Sequence, residues 1–256
     1  MSYFTIGHRL PRFLSTPLFG DRARWGLHAD HGDPMWLEWE KTYLLFYTAT
    51  QKASVGDRVN HAGYHVMRNV NLGGKRVLEI GPGDIRHLPY WPAKPKEYVI
   101  TDIQQTMLNR STTILNEHNI PSKAVLLQRD STRLPFSDEE FDAVVSFYAF
   151  EHIASLDTYL VEIKRVLRRQ GILIGAIPAE GGLAWGVGRL LTSRRWLKAN
   201  TGIDPDKLIC WEHPNFADHI LQALDRHFIK KTNRFWPFRL PFIDLNLVVQ
   251  FIYSNY

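Results

Sequence analysis

From about residue 75 to residue 178 the chain alternates short β-branched runs with stretches of helical periodicity. That alternation constrains the fold more than any other feature, because neighbouring parallel strands need a crossover between them, usually a helix. Five runs predict strands: RVLEI (76–80), EYVITD (97–102), AVLLQ (124–128), FDAVVSF (141–147) and GILIGAI (171–177). Between the second and third, Met107, Leu108, Ile114 and Leu115 form one apolar stripe of a helix. Between the fourth and fifth, LDTYLVEIKRVLRR carries Leu160, Ile163, Val166 and Leu167 on one face. It ends in Arg168 and Arg169, which suit the negative end of a helix dipole, with Gly171 as a stop signal.

The flanks read differently. Residues 1–75 are rich in tryptophan and histidine, with helical periodicity in WLEWEKTYLLFYTATQ and around HAGYHVMRNV, and predict a helical cap. Residues 76–256 then form the core, carrying a helical insertion at about 183–213. In the tail PNFADHILQALDRHF predicts a helix, while IKKTNRFW and LNLVVQFIY predict the last strands. Pro237 and Pro241 confine WPFRLPF to a loop or sheet edge.

A length of 256 residues suits one domain, and 45% hydrophobic with 22% charged residues argues against a disordered or fibrous chain. No stretch approaches ~18 uninterrupted apolar residues, and the N-terminus MSYFTIGHRLPRF lacks the apolar centre of a secretory signal, so a cytoplasmic location is expected. The single cysteine, Cys210, excludes an internal disulfide and a multi-cysteine zinc site, and reads as a small buried apolar residue. With 31 Lys+Arg against 26 Asp+Glu, the net charge of +5 is a mild pull toward anionic partners.

The stretch from Val77 to Ile85, VLEIGPGDI, carries the first chemistry. A buried strand runs into Gly81-Pro82-Gly83, where glycine permits a tight turn and close approach of a ligand to the backbone, and Asp84 follows as a good helix N-cap. Asp102 lies 19 residues after Gly83, at the end of the second predicted strand. In a dinucleotide-type fold a carboxylate there can accept hydrogen bonds from both hydroxyls of an adenosine ribose. The nicotinamide fingerprint wants a third glycine at the sixth position counted from Gly81, and Arg86 stands there.

In order and spacing these motifs resemble the class I methyltransferases, especially the small-molecule branch called methyltransferase type 11, over about residues 74–178. The resemblance implies a Rossmann-like α/β fold with a seven-stranded, mostly parallel sheet and helices on both faces, beneath the N-terminal helical cap. It also implies S-adenosyl-L-methionine as cofactor. Glu79, Gly81, Pro82 and Gly83 match the family's first motif, and Asp102, Ile103 and Met107 its acidic strand end and following helix. By the same resemblance Asp130 would bond the adenine amino group with Ser131 beside it, and Ser146 and Phe147 would face the methionine part of the cofactor. Two departures stand out: Ile85 replaces the usual third glycine, and Pro89, Pro92 and Pro95 shorten the helix that should follow.

For methyl transfer the expected work of the protein is positioning and exclusion of water, with a base needed only if the acceptor must lose a proton. His152, just after the fourth strand, is the candidate base, with cofactor contact or packing as its other readings. His61 and Tyr64 could meet the cofactor from the cap. The loop with His28, Asp30, His31 and Asp33 looks like metal ligands but reads better as a turn, so no metal is expected. Arg189, Arg194, Arg195 and Lys198 in the insertion could bind a phosphate, an acidic sugar or a membrane surface, or simply face solvent.

An Asn/Asp-Pro-Pro-aromatic motif is missing where Ser146-Phe147-Tyr148-Ala149 stands, and Cys210 is far from a cytosine C5 nucleophile's position, which demotes nucleic acid as acceptor. The expected activity is methyl transfer to oxygen or nitrogen of a small molecule, with a sugar, glycan or lipid-linked precursor, anionic or not, as acceptor. An RNA or protein methyltransferase and a non-catalytic cofactor-binding module stay open, as do peripheral membrane contact and the oligomeric state.

Overall fold

A computed structural model describes residues 3–51, 54–129 and 131–256. The chain opens with four helices, α1 (Arg12–Phe19), α2 (Arg22–Trp25), α3 (Pro34–Phe46) and α4 (Ser54–Tyr64). Asp33 starts α3 by accepting the Met35 amide at 2.9 Å, with Pro34 at the first helical position, where its missing N–H costs nothing. The helix passes into a π-helical turn over Tyr47–Gln51.

The core then runs β1 (Arg76–Ile80), β2 (Glu97–Asp102), α5 (Gln105–Glu117), β3 (Ser122–Leu126), β4 (Phe141–Phe147), α6 (Leu156–Val166) and β5 (Leu167–Pro178). The insertion supplies α7 (Leu183–Leu191), α8 (Ser193–Asn200) and α9 (Pro205–Glu212), and the chain closes with α10 (Ala217–His227), β6 (Ile229–Trp236) and β7 (Val248–Ser254). The seven strands form one sheet in the order β3-β2-β1-β4-β5-β7-β6. Only β7 runs against its neighbours. This is the Rossmann-like, mostly parallel sheet the motifs imply.

Alternation along the strands feeds two cores. Leu78, Val144 and Leu173 pack on one face with α6 and α10, while Val77, Ala143 and Ile174 pack on the other with α4 and α5. A third cluster belongs to the cap: Trp36 and Trp39 of α3 pack with Leu197, Leu208, Cys210 and Trp211 of α8 and α9. The N-terminal helices and the insertion therefore share one core. Cys210 is fully buried, and burial pushes its thiol up to about 11. No helix among the described residues is long and apolar enough to cross a membrane.

Two local expectations are corrected. No α-helix follows the Gly81–Gly83 turn, and only a 3-10 turn forms at Leu88–Tyr90. Ile85 sits in the left-handed region at φ 46° and three prolines follow, so the N-cap expected at Asp84 has no helix to cap, and its carboxylate pairs with Arg110 at 2.8 Å. Helix α6 stops at Val166 rather than Arg169. There Asn255 donates to the carbonyls of Lys164, Leu167 and Arg168, and the Arg168 side chain turns to Asp142 and the Glu139 carbonyl. The helical insertion expected at about 183–213 consists of three helices, the first two separated at Thr192.

Candidate functional site

Strands β1 and β2 pair in parallel register, and their carboxyl ends bring Gly81 and Asp102 together. Gly81 and Gly83 have φ of 66° and 56°, which a side chain resists, and a Cβ on Gly81 would sit 3.2 Å from Ala149. The turn is tied to β2 by the Gly81 amide on the Thr101 carbonyl at 2.9 Å. Asp102 accepts the Gln104 amide at 2.8 Å, and burial pushes its carboxyl up to about 6 against that bond. Ile103 beside it is 45% exposed, an apolar surface at the crevice mouth. Met107 is buried beneath, and the Ser111 hydroxyl on its helix donates to the Gly83 carbonyl at 2.6 Å.

The cap roofs this crevice. The Tyr47 hydroxyl stands 3.5 Å from where a Cβ of Gly83 would be, and burial, with the Asp84 charge adding, pushes its phenol up to about 12. Tyr43 stacks on Tyr47 with ring centres 6.1 Å apart. Burial raises its phenol, and it feels the charges of both Asp102 and Glu212. Glu40 on the same helix pairs with Arg129 at 2.9 Å.

The second region lies at the carboxyl ends of β4 and β5. Tyr148 ends β4 in the left-handed region at φ 54°, and such conformations in bulky residues collect at functional sites. A 3-10 turn then presents Glu151 and His152. His152 Nδ1 lies 2.6 Å from the Glu212 carbonyl and 3.3 Å from its carboxylate, and its ring meets His213 edge-on at 4.7 Å. His213 Nδ1 lies 2.7 Å from Glu180, which also takes the Trp185 indole N–H at 3.0 Å and pairs with Arg189. Glu212 accepts the Trp39 indole N–H at 2.5 Å.

Charge is distributed unevenly here. Burial lowers the His152 pKa, yet the Glu212 bond and the Glu151 charge outweigh it and hold the ring at about 9. Burial pushes His213 well down, with Arg189 and His152 adding to the effect. Glu151 is raised by burial, and Glu212 is held low by His152 against its burial. His152 therefore keeps its proton at neutral pH, whereas His213 is neutral.

Of the residues read from sequence, Gly81, Pro82, Gly83, Asp102, Ile103 and Met107 gather at the β1–β2 crevice. The Glu79 carboxylate is occupied elsewhere, accepting from Tyr98 at 2.9 Å and pairing with His87 at 2.7 Å in the core. Ser146 is buried with its hydroxyl unpartnered, and Phe147 stacks on His87 at 4.7 Å. Ser131 is half-buried and bonds the Arg133 carbonyl at 3.1 Å, while Asp130 lies outside the described residues. His61 bonds the Tyr90 hydroxyl at 2.8 Å, and Tyr64 packs among Phe147, Tyr148 and His87. In the cap loop, Asp30 accepts the Gly32 amide, Asp33 pairs with Lys207 and His31 meets Trp36 edge-on, which is a turn. Missed altogether were Tyr43, Tyr47, Glu151, Glu180, Glu212 and His213, and the one signal for Glu180 was a carboxylate directly after a strand end.

Residues 78–175 match the methyltransferase domain family, so this segment is a class I, type 11-like methyltransferase domain, whose cofactor is S-adenosyl-L-methionine. A demethylmenaquinone methyltransferase of Bacteroides fragilis is 30% identical over 102 residues, covering 39% of this chain and 42% of that one. The chain thus spans less than half the length of this curated relative. Among solved structures, an S-adenosylmethionine-dependent methyltransferase of Mesorhizobium loti superposes with TM-score 0.51 at 16% identity, covering 79% of this chain and 98% of that one. The [4+2]-cyclase SpnF superposes with TM-score 0.56 at 15% identity, covering 98% of this chain and 95% of that one. At these identities the structures speak for the fold alone.

Proposed function

We propose that the chain is an S-adenosylmethionine-dependent methyltransferase that methylates an oxygen or nitrogen of a small molecule. The observation that carries the reading is the roofed crevice at β1 and β2, where Asp102 stands at a strand end beside two left-handed glycines. These residues fit the cofactor. Its ribose hydroxyls would donate to the Asp102 carboxylate, Ile103 offers an apolar face for adenine, and Gly81 and Gly83 leave room beside the backbone. On the family resemblance Asp130, Ser131, Ser146 and Phe147 join the site.

The cofactor supplies an electrophilic sulfonium methyl. The chain's own task is to orient an acceptor and exclude water, for which Tyr43 and Tyr47 form the roof. His152 is proposed to face the acceptor at the β4 end. Held at about 9, it serves there as a charged donor unless its proton is displaced, so a base role requires Glu212 to release it.

An anionic acceptor, such as a phosphorylated sugar or lipid-linked precursor, is favoured by the insertion. Arg195 and Lys198 are exposed, while Arg189 and Arg194 are buried and paired with Glu180 and Asp206, each with an Nη1 that lacks a hydrogen-bond partner. Buried donors of this kind are costly unless a ligand meets them. SpnF, named for a cyclase activity, keeps a non-methylating reading as the second possibility. The test is formation of the demethylated cofactor on incubation with phosphorylated and neutral sugar and lipid acceptors. Turnover with an anionic member supports the reading, and cofactor binding without turnover across the panel favours the second.

A further inference from the structure

We infer that the β4–β5 end of the site binds a divalent transition-metal ion, with zinc the best fit, between His152, Glu212 and His213. Each of the three offers one donor atom, and these atoms lie within 4.8 Å of one another. A four-coordinate zinc with bonds of about 2.0 to 2.2 Å separates its ligand atoms by ~3.4 Å. Closing the gap takes a movement of about an ångström, which the half-exposed His152 ring can supply.

The surroundings of both rings point the same way. His152 presents Nδ1 to the Glu212 carbonyl at 2.6 Å, and His213 presents Nδ1 to Glu180 at 2.7 Å. A metal-bound histidine almost always donates its second ring N–H to a carbonyl or carboxylate, which fixes the tautomer and aims the other nitrogen. A cation at this site would displace the proton that His152 otherwise keeps at neutral pH. Arg189 approaches His213 on the Nδ1 side at 2.9 Å, so its charge is held on Glu180 and off the Nε2 side.

A second, independent observation concerns unmet carboxylate oxygens. Glu151 and Glu180 are buried, and Oε2 of the first and Oε1 of the second have no hydrogen-bond partner. The other oxygen of Glu151, Oε1, faces His152 Nε2 at 3.9 Å. Three carboxylates, counting Glu212, face two guanidiniums, Arg189 on Glu180 and Arg22 on the His213 carbonyl at 2.7 Å, and the protonated His152 ring, whose proton a bound cation would replace. A buried carboxylate oxygen without a donor is unfavourable, and a divalent cation removes the deficit. The other histidine–carboxylate group among the described residues, His8, Asp218 and His219, has no such deficit, since Arg9 already pairs with Asp218 at 2.8 Å.

Two imidazoles with carboxylates select zinc or a neighbouring transition ion over magnesium or calcium, which prefer oxygen alone. A cation there, with an open position, would lower the pKa of an acceptor hydroxyl and take over the part of a base. That role rests on the proposed methyl transfer; the binding itself does not.

The test uses the full chain stripped with a chelator and titrated calorimetrically with zinc chloride. One saturating equivalent is expected. His152→Ala and His213→Ala should each weaken it by about a hundredfold or more, and Glu180→Gln by about 10- to 100-fold. His8→Ala, checked as folded by circular dichroism, should leave it unchanged. Cobalt(II) should give visible absorption in the wild type that is lost in His213→Gln, a milder variant. No saturable binding in the wild type, or undiminished affinity in both histidine variants, overturns the site. Neither readout involves methyl transfer, so a failed turnover assay and a failed zinc titration are distinguishable.

Discussion

The two ends of the site are built in opposite ways. At β1 and β2, the floor of the crevice is local: a turn, a strand end and the residues just after it, all between Gly81 and Met107. At β4 and β5, Glu151 and His152 come from one loop, Glu180 from another, and Glu212 and His213 from the far side of a three-helix insertion. The first end presents backbone and one half-buried carboxylate. The second presents a network of histidines and glutamates with unmet oxygens. A nucleotide-like cofactor is the same for every member of a fold class and can be met by a fixed local motif, whereas an acceptor varies and is met by whatever the loops bring in.

The largest effect is expected at His152. Replacing it with alanine should lower turnover by about 10²- to 10⁴-fold while cofactor affinity stays within about twofold, if the proposed place at the acceptor end holds. An equal loss of cofactor binding would join the two ends into one. A smaller effect should come from pH. Burial holds the Asp102 carboxyl up to about 6, so it ionises above that and protonates below it. A protonated carboxyl accepts the ribose hydroxyls poorly, and cofactor affinity should fall by about tenfold between pH 7 and pH 5, with Asp102→Asn showing no such slope. The smallest effect is expected from Arg129→Ala, which removes an exposed pair with Glu40 and should weaken cofactor binding by no more than about threefold.

The local end was legible for the reason that makes it local. The 19-residue spacing from Gly83 to Asp102 spans only a short crossover and strand β2, and β1, β2, β4 and β6 begin and end where their residue patterns change. The missing helix after β1 was half legible: three prolines announced a short crossover, but not that Ile85 would take a left-handed turn and leave Asp84 to Arg110. What could not be read depends on partners far along the chain. Asn255 ends α6 from 88 residues beyond Leu167, and His213 reaches His152 only after α7, α8 and α9 have folded over the sheet with α3. No spacing rule encodes such meetings. The tyrosine roof was hidden for the same reason, since Tyr43 and Tyr47 look like any aromatic pair on an amphipathic helix until α3 is placed over Gly83.

The central claim, that the β1–β2 end grips the cofactor ribose through Asp102, is tested most directly by titration calorimetry of S-adenosylmethionine and its demethylated product against wild type and Asp102→Asn. The substitution keeps the shape and removes the charge, and charged hydrogen bonds are worth about 1.5 to 3 kcal/mol. With both proteins folded by circular dichroism, affinity for both ligands should fall by roughly tenfold to a hundredfold. Unchanged binding of both would contradict the ribose assignment and the account of this end of the site.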